Sequence, residues 1–250
     1  MAANPLCGFL TINKPSGITS YDCIRHIKKL LKTKIKIGHA GTLDPLASGV
    51  MIIAIGRDAT KNLGTLSNLS KTYGVIAKLG ETTDTLDSQG TIIDQCKIPE
   101  LSEKNIESVL KNMLGEQEQI PPVFSALKHK GTSLHKYART GKIEAAKLEQ
   151  IAEAKKRTIT IHDIALISWQ SPFLQFTAHV SKGTYARVLA CDIAKKLNTC
   201  ASTHILTRTA IGNIDIEQTH LLKNLDSLEK IEQNLMPPNK FIAHLKLPAR

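Results

Sequence analysis

Between residues 36 and 49 the chain reads Lys-Ile-Gly-His-Ala-Gly-Thr-Leu-Asp-Pro-Leu-Ala-Ser-Gly, and the apolar run Val50-Met-Ile-Ile-Ala-Ile55 follows at once. Gly38, Gly41, Pro45 and Gly49 argue against a helix here, so the stretch is a loop that empties into a buried strand. It carries one carboxylate, Asp44, between Leu43 and Pro45, with His39 five residues upstream. A rigid loop of this kind holds a single acid still.

The 250 residues can hold one large domain or two small ones; one elongated domain over 1–235 is expected, with a short tail over 236–250. Thirty-three Lys and Arg against 22 Asp and Glu give a formal charge of +11, which favours a polyanionic partner, nucleic acid before others. Cys7, Cys23, Cys96, Cys191 and Cys200 are odd in number and show no Cys-x-x-Cys spacing. Neither a disulfide framework nor a zinc site is therefore expected, and a reducing cytoplasm fits best. No run approaches the roughly 18 apolar residues of a membrane span, and the N-terminus has no export signal, so a soluble, unexported protein is expected.

Gly8–Asn13 alternates as a strand and stops at Lys14-Pro15-Ser16-Gly17. Thr19 or Ser20 then caps a helix with Ile24, Ile27, Leu30 and Leu31 on one face. Strands are predicted over 50–55, 71–79, 158–168, 172–181 and 205–214, and helices over 58–68, 102–114 (closed by Gly115) and 184–197. Residues 81–90 read as a polar turn. Residues 142–157, rich in Ala, Glu and Lys, predict an exposed helical insertion. Strands outnumber helices and adjoin one another, which predicts an α+β fold with a mixed, largely antiparallel sheet and flanking helices.

The loop resembles the catalytic loop of the TruB family of pseudouridine synthases, Gly-His-x-Gly-Thr-Leu-Asp-Pro-x-Ala-x-Gly, at Gly38, His39, Gly41, Thr42, Leu43, Asp44, Pro45, Ala47 and Gly49. Ser181-Lys-Gly-Thr-Tyr185-Ala-Arg187 resembles a second motif of the family, and Leu10–Ser20 a third. The resemblance implies the pseudouridine synthase fold with a central catalytic cleft. It implies isomerisation of the T-loop uridine of tRNA, as in a tRNA pseudouridine-55 synthase, after the base is flipped out. An isolated Asp beside Pro is ordinarily a turn carboxylate. Within this motif Asp44 takes the role of nucleophile. Attack at C1′, attack at C6 and removal of the 2′ proton are all open to one carboxylate.

By the same resemblance Arg187 would pair with and orient Asp44, and Tyr73, in Lys71-Thr-Tyr-Gly, would stack on the target base and take part in removing the C5 proton. Tyr185 and Leu206 would line the uracil pocket, and His39 would stack against rearranged T-loop bases. Lys14 and Pro15 would buttress the nucleophile loop. Residues 121–157 would clamp the RNA hairpin, with Lys128, Lys130, Lys136 and Arg139 on phosphates. No cofactor, metal or obligatory protein partner is expected, and a monomer is the default. The family continues in many members into a further small RNA-binding domain that does not follow residue 238 here, so a short form is expected. Rival readings are an RNA-folding helper with incidental catalysis, the catalytic subunit of a guide-RNA complex, and a hydrolase, which would need a second carboxylate near Asp44.

Overall fold

A computed structural model of the chain describes residues 6–32 and 34–245. The chain falls into two compact units, one formed by residues up to 72 with those from 207 onward, the other by residues 73–206. The first unit begins with β1 (Gly8–Lys14), α1 (Ser20–Leu31), β2 (Ile37–Ala40), β3 (Ser48–Ile55), α2 (Arg57–Thr60) and α3 (Leu63–Ser67). The chain passes to the second unit inside β4 (Lys71–Leu79). There it forms β5 (Glu81–Thr83), β6 (Ile92–Gln95), α4 (Glu103–Lys111), β7 (Gly115–Gln119), β8 (Lys128–His129) and β9 (Thr132–Ser133). Next come α5 (Leu134–Thr140), α6 (Ala145–Glu153), β10 (Arg157–Gln170), β11 (Phe173–Val180) and α7 (Ala186–Lys196). It returns inside β12 (Ala201–Ile211) and ends with β13 (Ile214–Asp215), β14 (His220–Leu221), α8 (Leu228–Asn234) and α9 (Pro238–His244).

In the first unit the strands lie in the order β14-β1-β3-β12, with β2 also on β3 and β13 on β12. The β1–β3 and β2–β3 pairs are antiparallel and the β3–β12 pair is parallel, joining Ser48 to Thr207 and Gly49 to Arg208. The unbroken apolar run of β3 follows from burial on both faces. Val50, Ile52 and Ala54 meet Phe9, Leu66, Ile211 and Phe241, whereas Met51, Ile53 and Ile55 meet Leu10, Ile12, Ile27, Leu31 and Ile231. Phe9 and Phe241 stack with centroids 4.4 Å apart. Residues expected as a tail thus include α9, packed on β1, and Met236, bridged to Phe9; 246–250 lie outside the described residues.

In the second unit the order is β12-β4-β11-β10-β7, and β10 pairs antiparallel with both β11 and β7. Every second residue of β4 is buried (Tyr73, Val75, Ala77, Leu79), as the alternating pattern predicts. The α+β fold with a mixed, largely antiparallel sheet is therefore the one observed.

Four expectations need correction. The helix over 58–68 is two short helices, because Asn62 turns its side chain back to the Asp58 carbonyl (2.8 Å) and competes with the backbone there. The helix from Ser102 ends at Lys111, and Met113 and Leu114 bond three residues back in a tightened turn; Gly115, at φ +91°, opens β7. The polar turn expected at 81–90 begins with a strand, since Glu81–Thr83 form β5 and pair with β6. The insertion is not wholly exposed, since Leu148 and Ala152, one turn apart on α6, are both buried. A fifth correction concerns the cysteines: Cys96 and Cys200, 104 residues apart, form a disulfide. Their spacing could not announce it, because the tertiary path brings them together.

Candidate active site

Asp44 is half-buried in the loop between β2 and β3, and the turn Ser16–Ser20 before α1 grips that loop. Ser20 Oγ donates to the Leu43 carbonyl (2.9 Å) and accepts from the Leu43 amide (2.8 Å). The Gly17 amide donates to the Pro45 carbonyl (2.8 Å), and Ser16 Oγ to the Leu46 carbonyl (2.6 Å). On the other side Arg208, 1 % exposed, donates from Nε to Val50 (2.8 Å) and from Nη2 to Gly41 (3.0 Å), both carbonyls. Asp44 is thus flanked by backbone groups that are all fixed. The backbone that carries the carboxylate is therefore set in place before any reaction.

Lys14 is wholly buried and donates from Nζ to the carbonyls of Pro15 (2.9 Å) and Ile18 (2.7 Å), with Pro45 at 3.5 Å. Pro15 itself is exposed and offers Lys14 its carbonyl. Burial pushes the Lys14 ammonium down to about 8, against the opposing pull of Cys23 and Asp44. Between pH 8 and the usual lysine value near 10.4 the unfolded chain binds more protons than the folded one, so this group makes stability rise with pH. The unfolding free energy of the native protein, read by urea titration, should gain about 3 kcal/mol over that of Lys14→Met between pH 7 and pH 10. A constant difference would contradict the burial of a charged Lys14.

His39 lies on β2; burial and then Arg208 lower its pKa, which keeps its ring neutral at neutral pH. Its Nδ1 is buried and makes no hydrogen bond among the described residues.

In the second unit Tyr185 caps α7. Its amide donates to Gln119 Oε1 (2.7 Å), its carbonyl accepts from Gln119 Nε2 (3.2 Å), and the Arg157 guanidinium lies over its ring at 5.3 Å. Arg187, one turn into the motif and 3 % exposed, donates from Nη2 to the Phe124 carbonyl (2.9 Å) and from Nη1 to the Thr85 carbonyl, with Asp87 Oδ2 3.8 Å from Nη1. Asp87 is itself buried and accepts from Thr85 Oγ1 (2.7 Å) and the Gln89 amide (3.1 Å). Tyr73 on β4 and Leu206 on β12 are buried. Lys128, Lys130, Lys136 and Arg139 are all exposed on the β8–β9 hairpin and α5.

The first unit thus gathers Asp44, His39 and Lys14, and the second carries Tyr73, Tyr185, Arg187, Leu206, Lys128 and Arg139. The sequence did not single out Arg208, Gln119 or Asp87, and it offered Ser20 as a helix cap rather than as a support of the Asp44 loop. Arg208 stands two residues after Leu206 and could have been suspected from that; Asp87 was concealed in a polar turn. Asp87→Asn keeps the shape but removes the charge facing a buried guanidinium, and should cost about 2 kcal/mol in urea unfolding. An unchanged midpoint would make the Asp87–Arg187 pair energetically idle.

A family model described as "TruB family pseudouridylate synthase (N terminal domain)" matches residues 28–186. A protein of Bacillus subtilis named tRNA pseudouridine synthase B is 40% identical over 247 residues, which cover 95% of this chain and 77% of that protein. A protein of the same name from Chromohalobacter salexigens is 36% identical over 243 residues, covering 96% of this chain and 76% of that protein. Among solved structures, a chain of a Cbf5-Nop10-Gar1 complex superposes with a TM-score of 0.70 at 26% identity, covering 95% of this chain and 62% of that one. Matching sequence, fold and catalytic-loop motif agree: the chain belongs to the TruB family of pseudouridylate synthases.

Proposed function

We propose that the protein is a tRNA pseudouridine synthase that isomerises the T-loop uridine at position 55, with Asp44 as its nucleophile. The observation that carries this is the fastening of the Asp44 loop by Ser16, Gly17, Ser20 and Arg208 within a fully matched family motif. Relatives named for this reaction, at about 40% identity, support tRNA as the substrate.

The reaction cleaves the bond from C1′ to N1, turns the uracil and rejoins it through C5, while the C5 proton is lost and N1 gains one. Nothing is oxidised or reduced, so a carboxylate and positioning groups suffice and no cofactor is invoked. A covalent intermediate on Asp44 divides one difficult step into easier ones. The remaining roles rest on the sequence motifs. Tyr73 stacks on the flipped base, Tyr185 and Leu206 line its pocket, Arg187 is a cation serving the same reaction, and neutral His39 stacks on loop bases. The exposed Lys128, Lys130, Lys136 and Arg139 contact phosphates, which position the RNA without reading its sequence. Among the described residues no helix is long and apolar enough to cross a membrane. A cytoplasmic monomer acting without a protein partner completes the reading.

The test uses unmodified tRNA transcripts carrying either uridine or cytidine at the target position, with tritium release from 5-labelled uridine as readout. Release of one equivalent from the first transcript and none from the second is expected; equal release from both would overturn the assignment of the site.

A further inference from the structure

Cys96 and Cys200 are joined with Cα atoms 5.7 Å apart, whereas Cys7, Cys23 and Cys191 are free. Cys96 directly follows β6 and Cys200 directly precedes β12. The bond therefore fastens the foot of the β5–β6 hairpin to the start of that strand. Gly80, at the same foot, donates its amide to the Cys200 carbonyl (2.8 Å) and accepts from the Cys96 amide (3.0 Å). The far end of the hairpin is held by β12 as well. Ser88 donates to the Thr203 carbonyl (2.9 Å) and the Thr203 amide donates to that of Leu86 (3.0 Å). Thr85 directly precedes that far attachment and Asp87 lies within it, bridged to Thr203, and both are among the groups that hold the Arg187 guanidinium.

The disulfide is reachable. Both cysteines are half-buried and line a cavity of about 850 Å³, together with Asp94, Asp192 and Lys195. That volume admits a small thiol. Cys191 borders the same cavity, but it is buried, its Sγ donates to the Ala201 carbonyl (3.3 Å), and burial pushes its thiol, like that of buried Cys23, up to about 11. The carboxylate of Asp94 lies 3.7 Å from Cys96 Sγ and can accept its S–H in the dithiol form.

We propose that Cys96 and Cys200 are a reversible dithiol–disulfide site, oxidised by a low-molecular-weight disulfide and reopened by a small thiol entering the adjoining cavity, whose closed form locks the hairpin that holds Arg187. In oxidation one cysteine, having lost its proton, attacks the small disulfide and expels a thiolate, which takes up a proton. The second cysteine then attacks the mixed disulfide and expels the second thiolate. Two thiols of the protein become one disulfide, and one small disulfide becomes two small thiols.

The experiment incubates the full chain with glutathione disulfide or with dithiothreitol, then denatures and alkylates it for mass and peptide analysis, with thermal midpoints measured in parallel. The oxidised protein should show three alkylated cysteines and a peptide linking 96 to 200, the reduced protein all five. Closing a loop of this length should raise the midpoint on the order of 10 °C. Cys96→Ser and Cys200→Ser should show no such rise, although the wild-type comparison stands without them. Five alkylated cysteines after oxidation, a link between other cysteines, or an unmoved midpoint would each overturn the proposal. Turnover several-fold lower in the reduced form is expected on the pseudouridine synthase reading; equal turnover in both forms would refute the lock on Arg187. If neither form isomerises uridine while the thiol count and midpoint shift as expected, the redox site stands and the functional reading falls.

Discussion

Gly49→Ala should leave the first unit unable to fold around the Asp44 loop, at a cost above about 4 kcal/mol. Gly49 sits at φ +110°, in the left-handed half of backbone space, and a Cβ there would lie 2.2 Å from the Arg208 carbonyl oxygen. That oxygen is backbone in the neighbouring parallel strand and cannot turn aside, since the same residue's side chain is tied to Val50 and Gly41. Gly17→Ala provides the comparison. Its φ is +89°, but nothing lies within 4 Å of the added Cβ, so it carries backbone strain without a clash and should cost about 1 kcal/mol. Urea unfolding followed by circular dichroism reads both. Equal, small losses would mean that β3 and β12 do not approach as closely at Gly49 as described.

Arg208 explains why this glycine and the Asp44 loop belong to one structural unit. Its backbone excludes a side chain at residue 49, and its guanidinium satisfies carbonyls at both ends of the loop. A buried cation used in this way acts through hydrogen bonds that would otherwise be lost to desolvation. Lys14 likewise satisfies backbone carbonyls, those of Pro15, Ile18 and Pro45, with an ammonium whose pKa burial lowers to about 8.

Much of this was legible in the sequence because it depends on local chemistry. The Asp44 loop showed itself through glycines and a proline that only certain backbone shapes accept. The amphipathic face of α1, with Ile24, Ile27 and Leu31 buried, followed from helical spacing, and its Thr19 cap from the residue type. Doubly buried β3 followed from its unbroken apolar run. What escaped depends on residues distant in the chain. Nothing in the sequence marked Lys14 or Arg208 as fully buried, yet both are among the largest fully buried side chains. Asp87 read as part of a solvated turn, yet it faces Arg187 from 100 residues away in sequence. Cys96 and Cys200 carried no spacing signal at all. Leu148 and Ala152 did stand at helical spacing, but an Ala- and Lys-rich segment hides so narrow an inward stripe.

Asp44→Asn is expected to abolish isomerisation, with turnover reduced about a thousandfold or more. The amide is the same size as the carboxylate, and the bonds that hold the loop use the backbone of residues 41, 43, 45, 46 and 50, so the loop should survive the change. An amide is not a nucleophile toward the ribose or the base. RNA affinity should stay within a few-fold of the native value, because the basic groups on the β8–β9 hairpin and α5 are untouched.

The most direct test of the account is pseudouridine formation in an unmodified tRNA transcript, mapped by chemical adduct and primer extension, for the native protein and Asp44→Asn at equal RNA occupancy. The account predicts one adduct stop at the T-loop uridine with the native protein and none with the variant. The same stop with both proteins would show that Asp44 is not the nucleophile. Its absence from both, despite binding, would favour an RNA-folding role over catalysis.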